Sequence, residues 1–241
     1  MNYLITGGSS GIGLAVAKRL AAQGNRLALV SSNGAKLASA VSELKGDNHL
    51  AIVYDLSDIE NVGDIFDRLS KEDMMLDGMV HSAGISPLCL IKDNTPALME
   101  QVFRVNVFSF IELVKFFGRE NYSRQGSRIV AISSITARGG GYRQTLYGAS
   151  KAALISAVKL MSKELLNRDI RVNCISPGVV ESPMLEKLRS QSDNLDEKIR
   201  RSQPLGIIDP DAIAQLGVFL LSNGADFMTG REWVLDGGNG L

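Results

Sequence analysis

Apolar residues recur along the chain in two rhythms. Short continuous runs, such as Leu27-Ala28-Leu29-Val30, read as strands covered on both faces. They predict strands at 3–6, 27–31, 50–54, 78–81, 128–133, 171–175 and 232–235. Between them the apolar positions return with helical period. In 11–23, Ile12, Ala15, Val16, Ala17 and Leu20 form an apolar face, with Lys18 and Arg19 opposite. Further helices are predicted at 35–44, 59–69, 95–117, 147–166 and 211–221. Asp58, Asn94 and Asp209 are the expected N-caps, the last followed by Pro210 at the first helical position. Alternation of this kind predicts an α/β chain: one domain over 1–241, three layers, doubly wound around a seven-stranded parallel sheet. A ligand then belongs beyond the carboxyl ends of the strands, where the strand order reverses.

The segment 181–203 breaks the rhythm. It is polar, carries Lys187, Arg189, Arg200 and Arg201, and has weak helical period. It is expected as an insertion, two short helices forming a lid over the site; a plain surface excursion is the alternative.

Composition then narrows the classes. Lys+Arg and Asp+Glu number 26 each, so no net charge draws the chain to nucleic acid or an anionic membrane, and neither partner is expected. The first apolar run meets a glycine turn by residue 7, too early for a signal peptide, and no window reaches the roughly 18 apolar residues of a membrane span. The cytoplasm is the expected compartment. Cys89 and Cys174 sit among apolar neighbours and read as buried thiols; without a Cys-x-x-Cys or a Cys/His cluster, no metal is expected.

Three motifs carry chemistry. Thr6-Gly7-Gly8-Ser9-Ser10-Gly11-Ile12-Gly13 follows a predicted strand and opens a helix. Glycines allow a sharp turn and close approach of a phosphate, and the helix start offers unpaired N–H groups and a positive dipole end. A pyrophosphate suits it. No Gly-Lys-Ser/Thr follows, which argues against a nucleoside triphosphatase. Tyr147-Gly148-Ala149-Ser150-Lys151 places a phenol and an ammonium on one helical face. The ammonium is expected to lower the phenol pKa from about 10 toward usefulness as an acid or base. A hydroxyl at the end of the 128–133 strand, Ser134 or its neighbour Ser133, can steady a substrate carbonyl oxygen. Adjacent residues face opposite ways, so only one can do so.

Taken in order, these motifs resemble the short-chain dehydrogenase/reductase family over essentially the whole chain. The matches are Thr6-Gly7-x-x-x-Gly11-x-Gly13, Asp55, Ala83-Gly84, Asn106, Ser134, Tyr147-x-x-x-Lys151, Pro177-Gly178 and Asp236-Gly237-Gly238. The resemblance implies a Rossmann fold of the compact branch and an NAD(P)(H)-dependent oxidoreductase acting on a carbonyl or alcohol. It implies that Tyr147 is the general acid or base. Lys151 would tune it and hold the nicotinamide ribose, and Ser134, favoured over Ser133 by its spacing from Tyr147, would hold the carbonyl. Asn106 would kink its helix and hold a water leading protons to Lys151. Gly7, Ser9, Ser10, Gly11, Ile12 and Gly13 would surround the pyrophosphate and adenosine ribose, and Asp55 and Leu56 the adenine. Ala83 and Gly84 would pass the nicotinamide ribose. Pro177, Gly178 and Val180 would meet the nicotinamide, with Ser182 near its carboxamide or the phosphates. The chain departs from the family's Asn-Asn-Ala-Gly with His81-Ser82-Ala83-Gly84; His81, inside an apolar strand, reads as structural.

The end of the second strand reads Ser31-Ser32-Asn33, with no carboxylate to accept the ribose hydroxyls of NAD or repel a 2′-phosphate. That favours NADP over NAD, although Ser10 stands where many NADP-dependent relatives carry Arg or Lys. Ser86, Arg138 and Gln144, with Tyr142 and the 181–203 segment, are candidate walls for the substrate, a small-molecule or acyl-thioester carbonyl compound. The resemblance is greatest to 3-oxoacyl-thioester reductases; Lys159, Lys163 and Arg168 could face an acidic carrier protein, with a solvated helix face as the default reading. The apolar helices 95–117 and 147–166 suggest a homotetramer or homodimer. The rival readings are a catalytically silent cofactor sensor or scaffold, and an epimerase or dehydratase on the same scaffold.

Overall fold

The structure, a computed structural model, describes residues 1–139, 141–190 and 194–239. The last two residues of the expected domain, and residues 191–193 of the expected lid, lie outside the described residues. The elements are β1 (Asn2–Thr6), α1 (Gly11–Ala22), β2 (Arg26–Ser31), α2 (Gly34–Ser42), β3 (Leu50–Val53), α3 (Gly63–Lys71), β4 (Leu76–His81), α4 (Pro96–Phe103), α5 (Ser109–Phe117), β5 (Ser123–Ile132), α6 (Thr136–Gly139), α7 (Thr145–Glu164), β6 (Arg171–Pro177), α8 (Pro183–Arg189), α9 (Leu195–Ser202), α10 (Pro210–Leu220) and β7 (Glu232–Leu235).

The seven strands pair in parallel in the order β3-β2-β1-β4-β5-β6-β7. The chain winds outward from β1 to β3, then returns to place β4 on the other side of β1. The switch point therefore lies between β1 and β4. Thr6 is level with both Val30 and His81, so the carboxyl ends of these strands form one rim.

The strand period of two splits the core into two layers. Leu4, Ala28 and Val30 face one cluster, with Phe66 of α3, Phe110 of α5 and Leu154 of α7. Tyr3, Ile5, Leu27 and Leu29 face the other, with Val16 of α1, Leu37 of α2 and Ile213 of α10. Both sheet faces are thus covered, which is why the strands read as unbroken apolar runs. Arg19 of α1 grips Asp211 of α10 with both guanidinium arms, tying two helices of one layer.

Several local expectations change. The helix predicted over 95–117 is interrupted by a π-helical turn at Arg104–Phe108, with Asn106 inside it. Its side chain bonds to neighbouring segments instead of pointing to solvent, and the extra residue in the turn accommodates this. Asn94 is not the cap of α4: Thr95 is, its hydroxyl accepting from Leu98 N. The third helix starts at Gly63, because the residues before it form a turn in which Asp58 N donates to Asp55 O and the Asp58 carboxylate accepts from Asn61. Asp209 does cap α10, with Pro210 at its start. Cys174 is buried as expected, but Cys89 is only partly so.

Candidate active site

The glycine loop leaves β1 at the switch point. Gly7 takes φ +66°, and a Cβ there would fall 2.8 Å from Ala83 N, so the loop passes directly against the end of β4. Gly7 N donates to Val30 O at 2.9 Å, which folds the turn back onto β2. A Cβ on Gly13 would overlap Gly7 O, so close packing of α1 on its own loop demands glycine. Gly11, by contrast, takes φ +51° with only Ser182 Cβ near its missing side chain, at 3.9 Å. Ser10 occupies the N-cap of α1 without a side-chain cap, leaving the first-turn N–H groups for a ligand. Ile12 stands in that first turn and packs on the α1 layer of the core. Ser9 Oγ meets Ser31 Oγ at 2.9 Å, and Asn33 N donates to Ser31 Oγ at 3.3 Å, joining the loop to the end of β2. Ser32 is exposed beside them. An open glycine cradle, unpaired N–H groups and adjoining hydroxyls fit the pyrophosphate and ribose of a dinucleotide.

The next strand end is less open. Asp55 is exposed, and its carboxylate accepts from Ser57 N at 2.9 Å. Leu56 turns its side chain into the core. After β4, Ala83 N approaches Thr6 Oγ1 at 3.4 Å, and Thr6 Oγ1 meets His81 Nδ1 at 2.9 Å. His81 is fully buried against Phe110, the structural residue anticipated. Gly84 sits between two polar groups: a Cβ there would fall 3.3 Å from both Asn106 Oδ1 and Lys151 Nζ.

Those two groups belong to the proton-handling cluster. Asn106 Oδ1 accepts from Ile85 N at 2.8 Å, while its amide nitrogen donates to Ile85 O at 3.0 Å and to Ser150 Oγ at 2.9 Å. Both of its protons are thereby committed to the loop after β4 and to α7. Lys151 Nζ donates to Ile132 O at 2.8 Å and lies 5.7 Å from the Tyr147 ring centre. Burial pushes its amine down to about 8. Ser133 is buried and donates to Lys151 O at 3.0 Å, whereas the Ser134 hydroxyl donates to Thr136 Oγ1 at 3.1 Å and stands near enough to the Tyr147 phenol to pull its pKa down. Of the two hydroxyls just past the end of β5, Ser134 is thus the one beside the phenol.

The expected lowering of the Tyr147 pKa is not what the structure gives. Burial raises it, and the Ser134 hydroxyl pulls weakly the other way. The lysine, spent on a backbone carbonyl and itself desolvated, does not reverse this. At neutral pH the phenol therefore keeps its proton, which suits a group that donates one.

On the β6 side, Pro177 and Gly178 close the strand, Ile135 N donates to Pro177 O at 3.0 Å, and Val180 is buried and bridged to Ile208. Ser182 caps α8, accepting from Leu185 N, and reaches over Gly11 of the glycine loop. The 181–203 segment holds the helices α8 and α9. Arg189 joins them: its guanidinium forks onto Glu181 at 2.6 and 2.8 Å and reaches Asp196 at 2.9 Å.

Of the candidate substrate walls, Arg138 has a carboxylate partner. It forks onto Glu232 of β7, both contacts at 3.0 Å, and Ser176 Oγ donates to the same carboxylate at 2.7 Å. Its charge locks α6 to the edge strand. Ser86 is partly buried in the irregular run after β4, and Gln144 stands just before α7. The sequence reading missed Arg143, whose backbone O accepts from Cys89 N at 2.9 Å and whose side chain reaches Leu88 O at 3.2 Å. It holds the loop after β4 against the approach to Tyr147 with φ +66°, a conformation no sequence pattern announces. It also missed Gln203, a polar residue with no exposed surface.

Comparison with known proteins agrees with this geometry. A family model described as enoyl-(acyl carrier protein) reductase matches residues 7–239. The chain is 34% identical over 235 residues to carbonyl reductase family member 4 of Xenopus laevis, covering 97% of this chain and 95% of that protein. It is 32% identical over 239 residues to the 3-oxoacyl-[acyl-carrier-protein] reductase FabG of Chlamydia trachomatis, covering 98% and 95%. The solved L-sorbose reductase of Gluconobacter frateurii, complexed with NADPH and L-sorbose, superposes with a TM-score of 0.90 at 26% identity, covering 99% of this chain and 95% of that one.

Proposed function

The chain belongs to the short-chain dehydrogenase/reductase family, an oxidoreductase family using NAD(P)(H), and from that premise we propose that it is an NADPH-dependent reductase of a 3-oxoacyl thioester or a similar ketone. The observation that carries the proposal is the buried phenol of Tyr147, held in its protonated form with the Ser134 hydroxyl and Lys151 beside it. A bound reduced nicotinamide supplies the hydride. Tyr147 and Ser134 donate hydrogen bonds to the carbonyl oxygen, stabilising its developing charge, and Tyr147 delivers the proton. Lys151 supplies positive charge as the phenolate forms, and Asn106 fixes the loop at Gly84 and the start of α7 against each other. In the oxidative direction the same group, as phenolate, would take the proton back.

Gly7, Ser9, Ser10, Gly11, Ile12 and Gly13 would hold the pyrophosphate and adenosine ribose, and Asp55 with the Leu56 main chain the adenine. Ala83 and Gly84 would border the nicotinamide ribose, and Pro177, Gly178, Val180 and Ser182 the nicotinamide side. Ser31, Ser32 and the Ser9 hydroxyl, with Lys36 in the first turn of α2, favour a 2′-phosphate and hence NADP. The name of the Chlamydia relative supports the acyl-thioester reading. Helices α8 and α9 would serve as the lid. Exposed Met99, Phe108, Ile111 and Leu160 support burial of α4, α5 and α7 in a homodimer or homotetramer. Among the described residues no helix is long and apolar enough to cross a membrane, and two free thiols suit the reducing cytoplasm.

The test is NADPH oxidation, followed at 340 nm, with acetoacetyl thioesters and small ketones. The wild type should turn over. Tyr147→Phe should bind NADPH normally while losing about 10²–10⁴-fold in turnover, the usual worth of a positioned acid. Loss of NADPH binding in that variant would overturn the assigned role.

A further inference from the structure

Gln203 follows α9, at the far end of the proposed lid, yet its side chain has no exposed surface. Its Oε1 accepts from Val179 N at 2.8 Å. Its Nε2 donates to Val179 O at 3.0 Å and to Gly206 O at 2.5 Å. A single side-chain amide thus meets Val179 as a neighbouring strand would, one donor and one acceptor on the same residue. Val179 O also accepts from Ile208 N at 2.9 Å, but the Val179 N–H, on the side where pairing with β7 has run out, needs a partner. The last matched pair of β6 and β7 is Pro177 with Leu235, and Gly178 N still reaches Leu235 O at 3.0 Å. One residue later, Oε1 of Gln203 is the acceptor the structure supplies.

The seat is shaped for this side chain. A Cβ on Gly178 would overlap Gln203 Oε1, and a Cβ on Gly237, at φ +63°, would fall 2.7 Å from Gln203 Cγ. Leu205 N then donates to Gly237 O at 3.0 Å. Three segments meet at one amide: the loop after β6, the end of α9 and the turn after β7. A buried amide with its hydrogen bonds made fixes backbone more sharply than apolar packing, because any shift strands a polar group.

We infer that Gln203 is a positioning residue, whose side-chain amide sets where the main chain of residues 178–180 lies and thereby how that loop receives the nicotinamide half of the cofactor. It also couples that loop to α9, so that lid and nicotinamide subsite move together. The inference rests on the proposed reading that the loop after β6 faces the nicotinamide.

Gln203→Met keeps length and volume and removes all three side-chain bonds. The experiment compares wild type and variant, as full chains, for binding of NADPH and of 2′-phospho-ADP-ribose, which lacks the nicotinamide. Urea midpoints are taken alongside. NADPH should weaken by about tenfold, the scale of one lost buried hydrogen bond, while the fragment binds as before. KM for NADPH should rise more than kcat falls. Equal weakening of both ligands would mark a general structural role and overturn the inference, as would no change in either. Should the variant not fold, amide hydrogen exchange in the wild type decides. Val179 N–H should gain protection with NADPH and not with the fragment; equal protection overturns the inference. A wild type that binds neither NADPH nor NADH overturns the functional reading itself, a result distinct from any of these.

Discussion

Acid should weaken this fold through one histidine. His81 ends β4 with no exposed surface; Thr6 Oγ1 lies 2.9 Å from its Nδ1, the Phe110 ring centre lies 5.3 Å away, and its Nε2 has no partner. Burial, reinforced by the neighbouring Lys151 ammonium, drives its pKa down to about 3. In the unfolded chain a histidine titrates near about 6.5. Between these values the unfolded state binds the extra proton, so stability is full at neutral pH and lost as pH falls below the unfolded value. At about 1.4 kcal/mol per pH unit, going from pH 7 to pH 5 removes about 2 kcal/mol. For a chain of this size that is a drop of about 4–8 °C in thermal midpoint. Urea unfolding at both pH values, in wild type and His81→Asn, isolates the effect. Asparagine keeps an acceptor for Thr6 but takes no proton. The carboxylates of Glu181, Asp196 and Asp211, held below their usual range by arginine partners, and of Glu60, held down by its own backbone N–H and then by Arg104, titrate equally in both proteins and cancel. The wild type should lose about 2 kcal/mol more than the variant. Equal losses, or a His81 pKa above about 6 by NMR, would refute the assignment of a neutral buried ring.

Other outcomes are as concrete. With the Lys151 amine near 8, reductase turnover should decline as pH rises through that value, since the charge that steadies the phenolate is lost; a flat pH–rate profile from about 7 to 9.5 would count against it. Gly13→Ala places a methyl on Gly7 O, so NADPH affinity should fall more than tenfold, by roughly 1.4 kcal/mol or more, with the substrate KM little changed, as calorimetry and initial rates would report. Glu232→Gln breaks the fork that ties α6 to β7; burial favours a neutral Glu232 carboxyl, but Arg138 and Ser176 hold it ionised. The variant should unfold about 1–2 kcal/mol earlier while still binding NADPH, and an unchanged urea midpoint would show the fork to be idle.

What the sequence made legible follows the physics of each element. Strands covered on both faces announce themselves as apolar runs, and the seven strands come within a few residues of expectation for most ends. The sheet order needed the doubly wound pattern rather than any single run. The glycine loop was readable because each glycine answers a steric demand visible in its spacing. The break at Arg104–Phe108 was not readable from periodicity, since a π-helical turn leaves the apolar pattern on either side intact. The partner of Arg138 was not readable because a lone arginine does not disclose its carboxylate, here 94 residues away on β7. The Tyr147 pKa was misjudged for a related reason. Proximity to Lys151 along the helix is visible in the sequence, but the depth at which both groups sit is not, and depth decides the sign. Gln203 and Arg143 gave no signal at all: the side chains of both bond to main-chain atoms, which every residue possesses.

Asn106 spends its two amide protons on Ile85 and Ser150, partners on either side of it in the chain. With Gly7 against Ala83 and Ser133 against Lys151, the site is stitched from contacts between residues far apart in sequence. Such contacts close late, after the intervening crossovers have ordered, so the site should be among the last features to form during folding. Early sub-structures can hold sheet and helices without it. A dinucleotide recognises only the finished molecule, and by binding it alone draws the folding equilibrium toward completion. In the cell the coenzyme pool would then act as a folding checkpoint, favouring those chains whose distant segments have all met.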